Sequence, residues 1–420
     1  MIKYIDIPAG MKTAAFAMGE NAIEHISEFL QENFPGRKAW IIADGNTWRA
    51  AGQKAAEYLP DSYPPKIFPA VPRLHPDSDI SDKLAEEIAA MENCLPVAVG
   101  SGVINDVVKR ASGIAGVTYC CVPTAASVDG YTSNGAAMSV GGFKKTLPCA
   151  APYALLVDTD VLYAAPPEMF SSGYADLFAK IPAGGDWKIA DALGIEKIDP
   201  AIWSLVQDKL RSQLSDPTDF FSVFAGLAAT GYAMQLYFDS RPASGAEHLM
   251  SHVWEMEKLT FNGEEVSHGF KVAAGSIALT RLQEFIIRTP REKAEQMASP
   301  LLTADERRKE VRELLARDCY GSGVETLAME KFEGTEQRRK TIFENWERIR
   351  VLLREQIIPS AEAAALLKKA DAPVEYCEIG LSREDFLHGI RTAQLIRKRY
   401  TALDMLYDAG VLECALSELP

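Results

Sequence analysis

Leu95-Pro96-Val97-Ala98-Val99-Gly100-Ser101-Gly102-Val103-Ile104-Asn105-Asp106-Val107-Val108 is the stretch that decides the fold. Leu95 to Val99 is apolar without alternation, as expected of a strand covered on both faces. Val103 to Ser112 then reads as a helix, and Gly100-Ser101-Gly102 is the turn between them. The same unit recurs on either side. Upstream, Lys38 to Ala43 reads as a strand that ends at Asp44-Gly45-Asn46-Thr47, with a helical stretch to about Tyr58. Lys66 to Val71 reads as a short strand. Asp79 to Met91 has helical spacing, with Ile80, Leu84 and Ile88 on one face. Downstream, Val117 to Val122 is a strand ending at Pro123-Thr124, and Ala154 to Val157 another ending at Asp158-Thr159-Asp160. Strands alternating with helices predict a Rossmann-like α/β domain with a parallel sheet. Ligands of such sheets gather at the carboxyl ends of strands, where Asp44, Gly100 and Thr124 all fall.

After Pro166-Pro167 the pattern is helical with few β-branched runs. The chain of 420 residues exceeds the roughly 250–300 at which single cores stop growing. Two domains are expected: a nucleotide-binding α/β domain over 1–165 and an all-α domain over 166–420. The charged stretch Ala304 to Glu355, with Arg307-Arg308-Lys309 and Arg338-Arg339-Lys340, reads as solvated helix faces.

The net charge is −14, with 47% hydrophobic and 24% charged residues. That balance is ordinary for a globular chain and disfavours nucleic acid and anionic membranes as partners. The N-terminus lacks the apolar core of a signal peptide, and no run approaches the roughly 20 apolar residues of a membrane span. Seven cysteines without a C-x-x-C pair read as reduced thiols, so a cytoplasmic location is expected.

A strand, Gly100-Ser101-Gly102 and a helix form an arrangement that can cradle phosphate, since the helix N-terminus offers N–H groups and partial positive charge. It is not the G-x-G-x-x-G fingerprint, because Asn105 stands at the third glycine. Asp44 is either an acceptor for a ribose diol, favouring NAD over NADP, or a helix N-cap. Three of the six histidines, His248, His252 and His268, fall close together. Four-residue spacing puts His248 and His252 on one helix face, and His268 before Gly269 suits a loop or a helix start. Imidazoles from separate elements suit a divalent cation. Asp176, a lone acid in the apolar stretch Ser172 to Lys180, is the candidate third ligand, since a buried carboxylate needs a partner. Ordinary polar side chains on a helix are the alternative for the histidines.

The order of these motifs resembles the superfamily of iron-containing alcohol dehydrogenases, glycerol dehydrogenases and dehydroquinate synthases. The resemblance rests on Val122-Pro123-Thr124-Ala125-Ala126-Ser127-Val128-Asp129-Gly130, Asp158-Thr159-Asp160-Val161-Leu162, Gly173-Tyr174-Ala175-Asp176-Leu177, the stretch Ser244 to Met256, His268-Gly269 and Ile396 to Asp404. Within it, the Pro-Thr-Ala-Ala-Ser-x-Asp-Gly and Glu-His-x-x-Ser-His-x-Trp-Glu patterns look like the sn-glycerol-1-phosphate dehydrogenase branch.

The resemblance implies a dehydroquinate synthase-like fold and a set of roles. Asp176, His248 and His268 match the metal ligands; Gly100, Ser101 and Gly102 the pyrophosphate turn; Asp44 the ribose contact. Thr124 and Ser127 match residues beside the nicotinamide, Asp129 an acid of the substrate cleft, and His252 a histidine near the reacting oxygen. NAD is the expected cofactor, with NADP second. One divalent ion is expected, zinc or nickel with iron third. The implied substrate is a phosphorylated polyol or ketose: dihydroxyacetone phosphate and sn-glycerol 1-phosphate, interconverted with His252 relaying the proton from a pKa near neutrality. Relatives form homo-oligomers, and a homodimer is expected. Lys144 and Lys145 are candidates for the substrate phosphate, with exposed loop lysines as their alternative.

Two departures bear on this. Ser101 stands where the branch often has glycine, which adds a side chain at a crowded point. Val128 stands where the branch often has histidine, which keeps another polyol such as glycerol in play. A lyase is disfavoured by Asp176 followed by Leu177-Phe178-Ala179. A non-enzymatic binding module is disfavoured by the complete set Asp176, His248, His252 and His268.

Overall fold

The computed structural model describes residues 2–140 and 143–420, with the side chains of Phe143 and Lys144 outside that description. The chain divides into two compact units, Met1–Leu177 with Ser215–Asp239, and Phe178–Leu214 with Ser240–Pro420.

The first unit holds a sheet built from β1 (Lys3–Tyr4), β2 (Ala15–Gly19), β3 (Lys38–Asp44), β4 (Tyr63–Phe68), β5 (Cys94–Gly100), β6 (Cys120–Pro123) and, after a hairpin of β7 (Gly135–Val140) and β8 (Phe143–Pro148), β9 (Ala154–Asp158). Seven strands run in the order β1-β2-β9-β6-β5-β3-β4. All pairs are parallel except β1–β2. The expected parallel sheet is present. Its strands read as apolar runs because helices cover both faces: Ile41, Ala43, Leu95, Val97, Val99 and Val122 pack with Ile23, Ile26 and Phe29 of the first helical segment.

From β3 the chain crosses to β4 on one side, and from β5 to β6 on the other. The order therefore reverses between β3 and β5, where the loops after neighbouring strands part and leave a crevice at their carboxyl ends. Asp44 ends β3 and Gly100 ends β5. Two strands are displaced from expectation: β4 begins earlier and stops at Phe68, and β6 begins only at Cys120, its reach set by pairing with Val97 to Gly100.

The second unit is helical. Lys180–Ala192, Ala246–Met256, His268–Arg288, Thr335–Gln356 and Ala402–Ala409 enclose a core that includes Leu249, Trp254, Leu282, Trp346, Leu353 and Leu406. A two-stranded ribbon, β10 (Thr260–Phe261) with β11 (Glu264–Glu265), interrupts the helices. The charged stretch is only partly a solvated face. Arg308, Lys309 and Lys340 are exposed, but Arg307 is buried. Its guanidinium lies 4.0 Å over the Tyr407 ring and 2.9 Å from Gln394 Oε1. Arg338 pairs with Asp408 at 2.7 Å. Tertiary partners, not periodicity, turn these two arginines inward. All seven cysteines are unbridged, and no helix among the described residues is long and apolar enough to cross a membrane.

Candidate active site

β5 ends at Gly100, and the helix Gly102–Ala115 starts two residues on. Its first backbone bond runs from Asn105 N to Ser101 O at 3.1 Å. The N–H groups of Gly102, Val103 and Ile104 thus precede the helical ladder, where an anion is favoured. Ser101 is the N-cap but makes no side-chain capping bond, and its extended backbone (φ −83°, ψ −167°) accommodates a side chain without glycine's freedom. The crowding expected of Ser101 falls one residue later, where Val128 Cγ2 lies 3.0 Å from the place of a Gly102 Cβ.

The N-cap alternative for Asp44 is the one the geometry displays. Its Oδ1 accepts from Asn46 N at 2.8 Å and Thr47 N at 2.9 Å, while Thr47 Oγ1 accepts from Asp44 N, a reciprocal cap. Oδ2 takes part in neither of these bonds.

Thr124 and Ser127 follow β6 and are buried. Thr124 N donates to Gly100 O at 3.1 Å, which ties the two strand ends together. Ser127 Oγ lies 3.3 Å from the Tyr131 hydroxyl, which donates to Ala125 O at 2.6 Å. The helix Pro167–Phe178, which carries Asp176, packs directly on this loop. A Cβ on its Gly173 would stand 1.8 Å from Ala126 O, so only glycine permits the approach. Asp176 is buried, and its Oδ2 accepts from Asp129 N at 2.9 Å. Two residues far apart in sequence, the candidate ligand and the candidate cleft acid, are joined by one hydrogen bond.

His248 and His252 lie on the helix Ala246–Met256, and His268 is the first residue of His268–Arg288, capped by Ser267. The ring centroids are 5.4 Å apart for His248 and His268, 6.0 Å for His252 and His268, and 6.5 Å for His248 and His252. Each Nδ1 faces a carboxylate: His248 meets Glu247 Oε1 at 2.7 Å, His252 meets Glu255 Oε2 at 3.2 Å, and His268 meets Glu255 Oε1 at 2.8 Å. A carboxylate there fixes the Nδ1–H tautomer and leaves the Nε2 lone pair for a cation. Glu247 and Glu255 were not singled out from the sequence. The local signal was present, since Glu adjoins His248 and stands three residues after His252.

Burial opposes ionisation of Glu247, but hydrogen bonds from His248 and the Gly245 N–H hold it below the usual carboxylate range. Burial opposes Glu255 likewise, yet His268, His252 and Lys271 hold it well below. Burial pushes His252 down to about 4, against the pull of Glu255. Relative to the near-neutral value expected of an unperturbed imidazole, burial favours the neutral form of His252.

Asp176, His248 and His268 each offer one ligand atom, and these atoms all lie within 4.8 Å of one another. Two imidazole nitrogens and a carboxylate oxygen fit a borderline divalent cation, with coordination left for substrate. Lys145 is exposed on the β7–β8 hairpin, opposite Met138, and among the described residues makes no hydrogen bond to these groups. The side chain of Lys144 lies outside the described residues.

Residues 17–166 match the iron-containing alcohol dehydrogenase family. The glycerol-1-phosphate dehydrogenase (NAD(P)+) of Bacillus licheniformis is 27% identical, covering 96% of this chain and 91% of its own. That of Halalkalibacterium halodurans is 31% identical over 70% of this chain and 76% of its own. Among solved structures, a probable glycerol dehydrogenase from Sinorhizobium meliloti matches with a TM-score of 0.60 at 13% identity, over 99% of this chain and 100% of that one, a likeness of fold. The chain belongs to the glycerol-1-phosphate dehydrogenases, a branch of the iron-containing alcohol dehydrogenases.

Proposed function

We propose that this protein is an NAD(P)-dependent dehydrogenase that interconverts dihydroxyacetone phosphate and sn-glycerol 1-phosphate with the aid of a divalent cation. The observation that carries the reading is the convergence of Asp176, His248 and His268, with a carboxylate behind each imidazole, in a chain whose relatives bear that activity as their name. A cation bound there supplies Lewis acidity toward the substrate oxygen, and a nicotinamide supplies the two reducing electrons. The N–H groups of Gly102, Val103 and Ile104 hold the pyrophosphate, and Asp44 Oδ2 accepts from the ribose diol. Thr124 and Ser127 border the nicotinamide. Asp129 is assigned to the substrate hydroxyls. His252, backed at Nδ1 by Glu255, takes the proton in the alcohol-oxidising direction and returns it in the other.

Two imidazoles and a carboxylate accept zinc, nickel or iron; zinc or nickel is preferred here. Asp44 favours NAD over NADP. A cytoplasmic location is supported by seven unbridged cysteines, a homodimer by the resemblance alone, and a supply of glycerol phosphate to phospholipid synthesis by the product's chemistry. Lys145 is retained as a phosphate contact on charge alone.

The test is a coupled absorbance assay with chelated enzyme reloaded with Zn²⁺ or Ni²⁺, NADH, and either dihydroxyacetone phosphate or dihydroxyacetone. Metal-dependent NADH loss with the phosphate ester only is expected. Loss with dihydroxyacetone only would favour glycerol as the substrate, the second reading that apolar Val128 keeps open. Loss with neither would refute this substrate pair.

A further inference from the structure

We infer that Lys109, a residue outside the ligand and cofactor sets, is a positioning residue that aims the carboxylate of Asp176 at the cation. The inference rests on the metal reading above.

Lys109 lies on the helix Gly102–Ala115 and is completely buried. A buried ammonium is tolerated only when its donors and its charge are answered. Lys109 Nζ has three donors, and three oxygens take them: Gly130 O at 2.6 Å, Gly135 O at 2.9 Å and Ser133 Oγ at 3.1 Å. Asp106 Oδ1, at 3.4 Å, answers the charge. All three oxygens belong to the segment 129–135, which links the β6 loop to β7. One ammonium thus gathers both ends of a turn.

The opposite side of the segment is held by the helix Phe220–Tyr237. Thr132 Oγ1 donates to Ala228 O at 2.7 Å, and Gln235 Nε2 donates to Thr132 O. Gly231 lets that helix approach so closely that a Cβ there would stand 1.9 Å from Thr132 Oγ1. These clamps hold the segment from two sides. Asp129, at the start of the segment, turns its N–H onto Asp176 Oδ2. A carboxylate with one oxygen engaged by a fixed N–H presents the other to a cation, as outer contacts do in metal sites. Lys109 pins the Gly130 carbonyl, two peptides further on from that N–H. Removing the ammonium loosens the segment between them and weakens the hydrogen bond to Asp176.

The test is Lys109→Met in the full-length protein, which keeps the side-chain length and removes the donors. Zn²⁺ affinity is measured by competition with a chromophoric chelator, and Co²⁺ substitution reports ligand geometry through its visible absorption. Zn²⁺ affinity is expected to fall about 10–100-fold, as for the loss of an outer-shell partner, with a changed Co²⁺ spectrum. A purely structural lysine would lower Tm and leave both readouts of the folded protein unmoved; that result overturns the inference. If Lys109→Met is insoluble, Ser133→Ala decides, with a loss of Zn²⁺ affinity in the same direction expected and an unchanged affinity counting against. Asp176→Asn runs alongside. If it binds Zn²⁺ as tightly as the parent, the metal reading fails; if it loses Zn²⁺ while Lys109→Met does not, only the role of Lys109 fails.

Discussion

Replacing Gly173 by Ala adds one methyl group at the point where the helix Pro167–Phe178 lies on the Thr124–Ser127 loop. The new Cβ would stand 1.8 Å from Ala126 O, 2.7 Å from Ala126 C and 3.1 Å from Ser127 Cα. All three are backbone atoms, so no side chain can rotate away. Helix and loop must separate by about 1.7 Å to restore van der Waals contact near 3.5 Å. Overpacking costs about 1–3 kcal/mol when side chains absorb it, so about 3 kcal/mol is expected here, a drop in Tm of roughly 6–12 °C for a unit of this size. The same shift separates Asp176 from Thr124 and Ser127. A misplacement of about 1 Å at a reacting centre costs up to about 100-fold in rate. Differential scanning fluorimetry and kcat/KM for NADH-dependent reduction measure the two effects. Gly113→Ala is the control: its Cβ would meet Ala150 N at 3.4 Å, an ordinary contact, and replacing a glycine in the last turn of the helix Gly102–Ala115 should stabilise by at most about 0.5–1 kcal/mol. A Gly173→Ala protein with parental Tm and parental kcat/KM would refute the packing argument.

Glu255→Gln removes the carboxylate shared by His252 and His268; Zn²⁺ affinity should fall about 10–100-fold, and a parental affinity in the chelator assay would show that the tautomers are set elsewhere. Asp44→Ser keeps an N-cap acceptor but loses the free oxygen, so KM for NADH should rise while KM for NADPH falls or holds; equal changes for both coenzymes would remove Asp44 from the ribose site. Asp186 is pushed up to about 7, first by burial and then by Glu247, against bonds from Ala246 N and Ala402 N. Because the folded protein keeps this proton above the ordinary carboxyl range, the unfolded state binds fewer protons between about pH 4 and 7, and stability falls as pH rises through that window. The Tm difference between the parent and Asp186→Asn should therefore shift in favour of the variant from pH 5 to 7 and level off above 8; a gap independent of pH would contradict the assignment.

Some of the site was legible because the relevant geometry is local. Leu95 to Ser112 carries strand, turn and helix in consecutive residues. The spacing of His248 and His252 needs only a helix to bring them to one face, and Ser267-His268 needs only a cap. Other features depended on distant partners. β2, Ala15–Gly19, is too short and small-chained to announce itself, and it exists because β9 pairs with it residue for residue. The β7–β8 hairpin was unread for the same reason. Lys109 passed as one more residue in a helix, because nothing in its neighbourhood says that Gly130, Ser133 and Gly135 come back to enclose it. Arg307 looked solvated until the Tyr407 ring and Gln394 covered it.

The amino-acid sequence by itself therefore determined the parallel α/β half, the helical half, the glycine turn and the identity of the candidate ligands, since each follows from periodicity, turn chemistry or donor type within a short window. The tertiary structure alone decided that the Asp129 N–H meets Asp176, that Glu255 serves two histidines at once, and that burial favours the neutral form of His252. Those outcomes depend on orientation and desolvation, which chain neighbours do not specify and which arise only when separate elements pack.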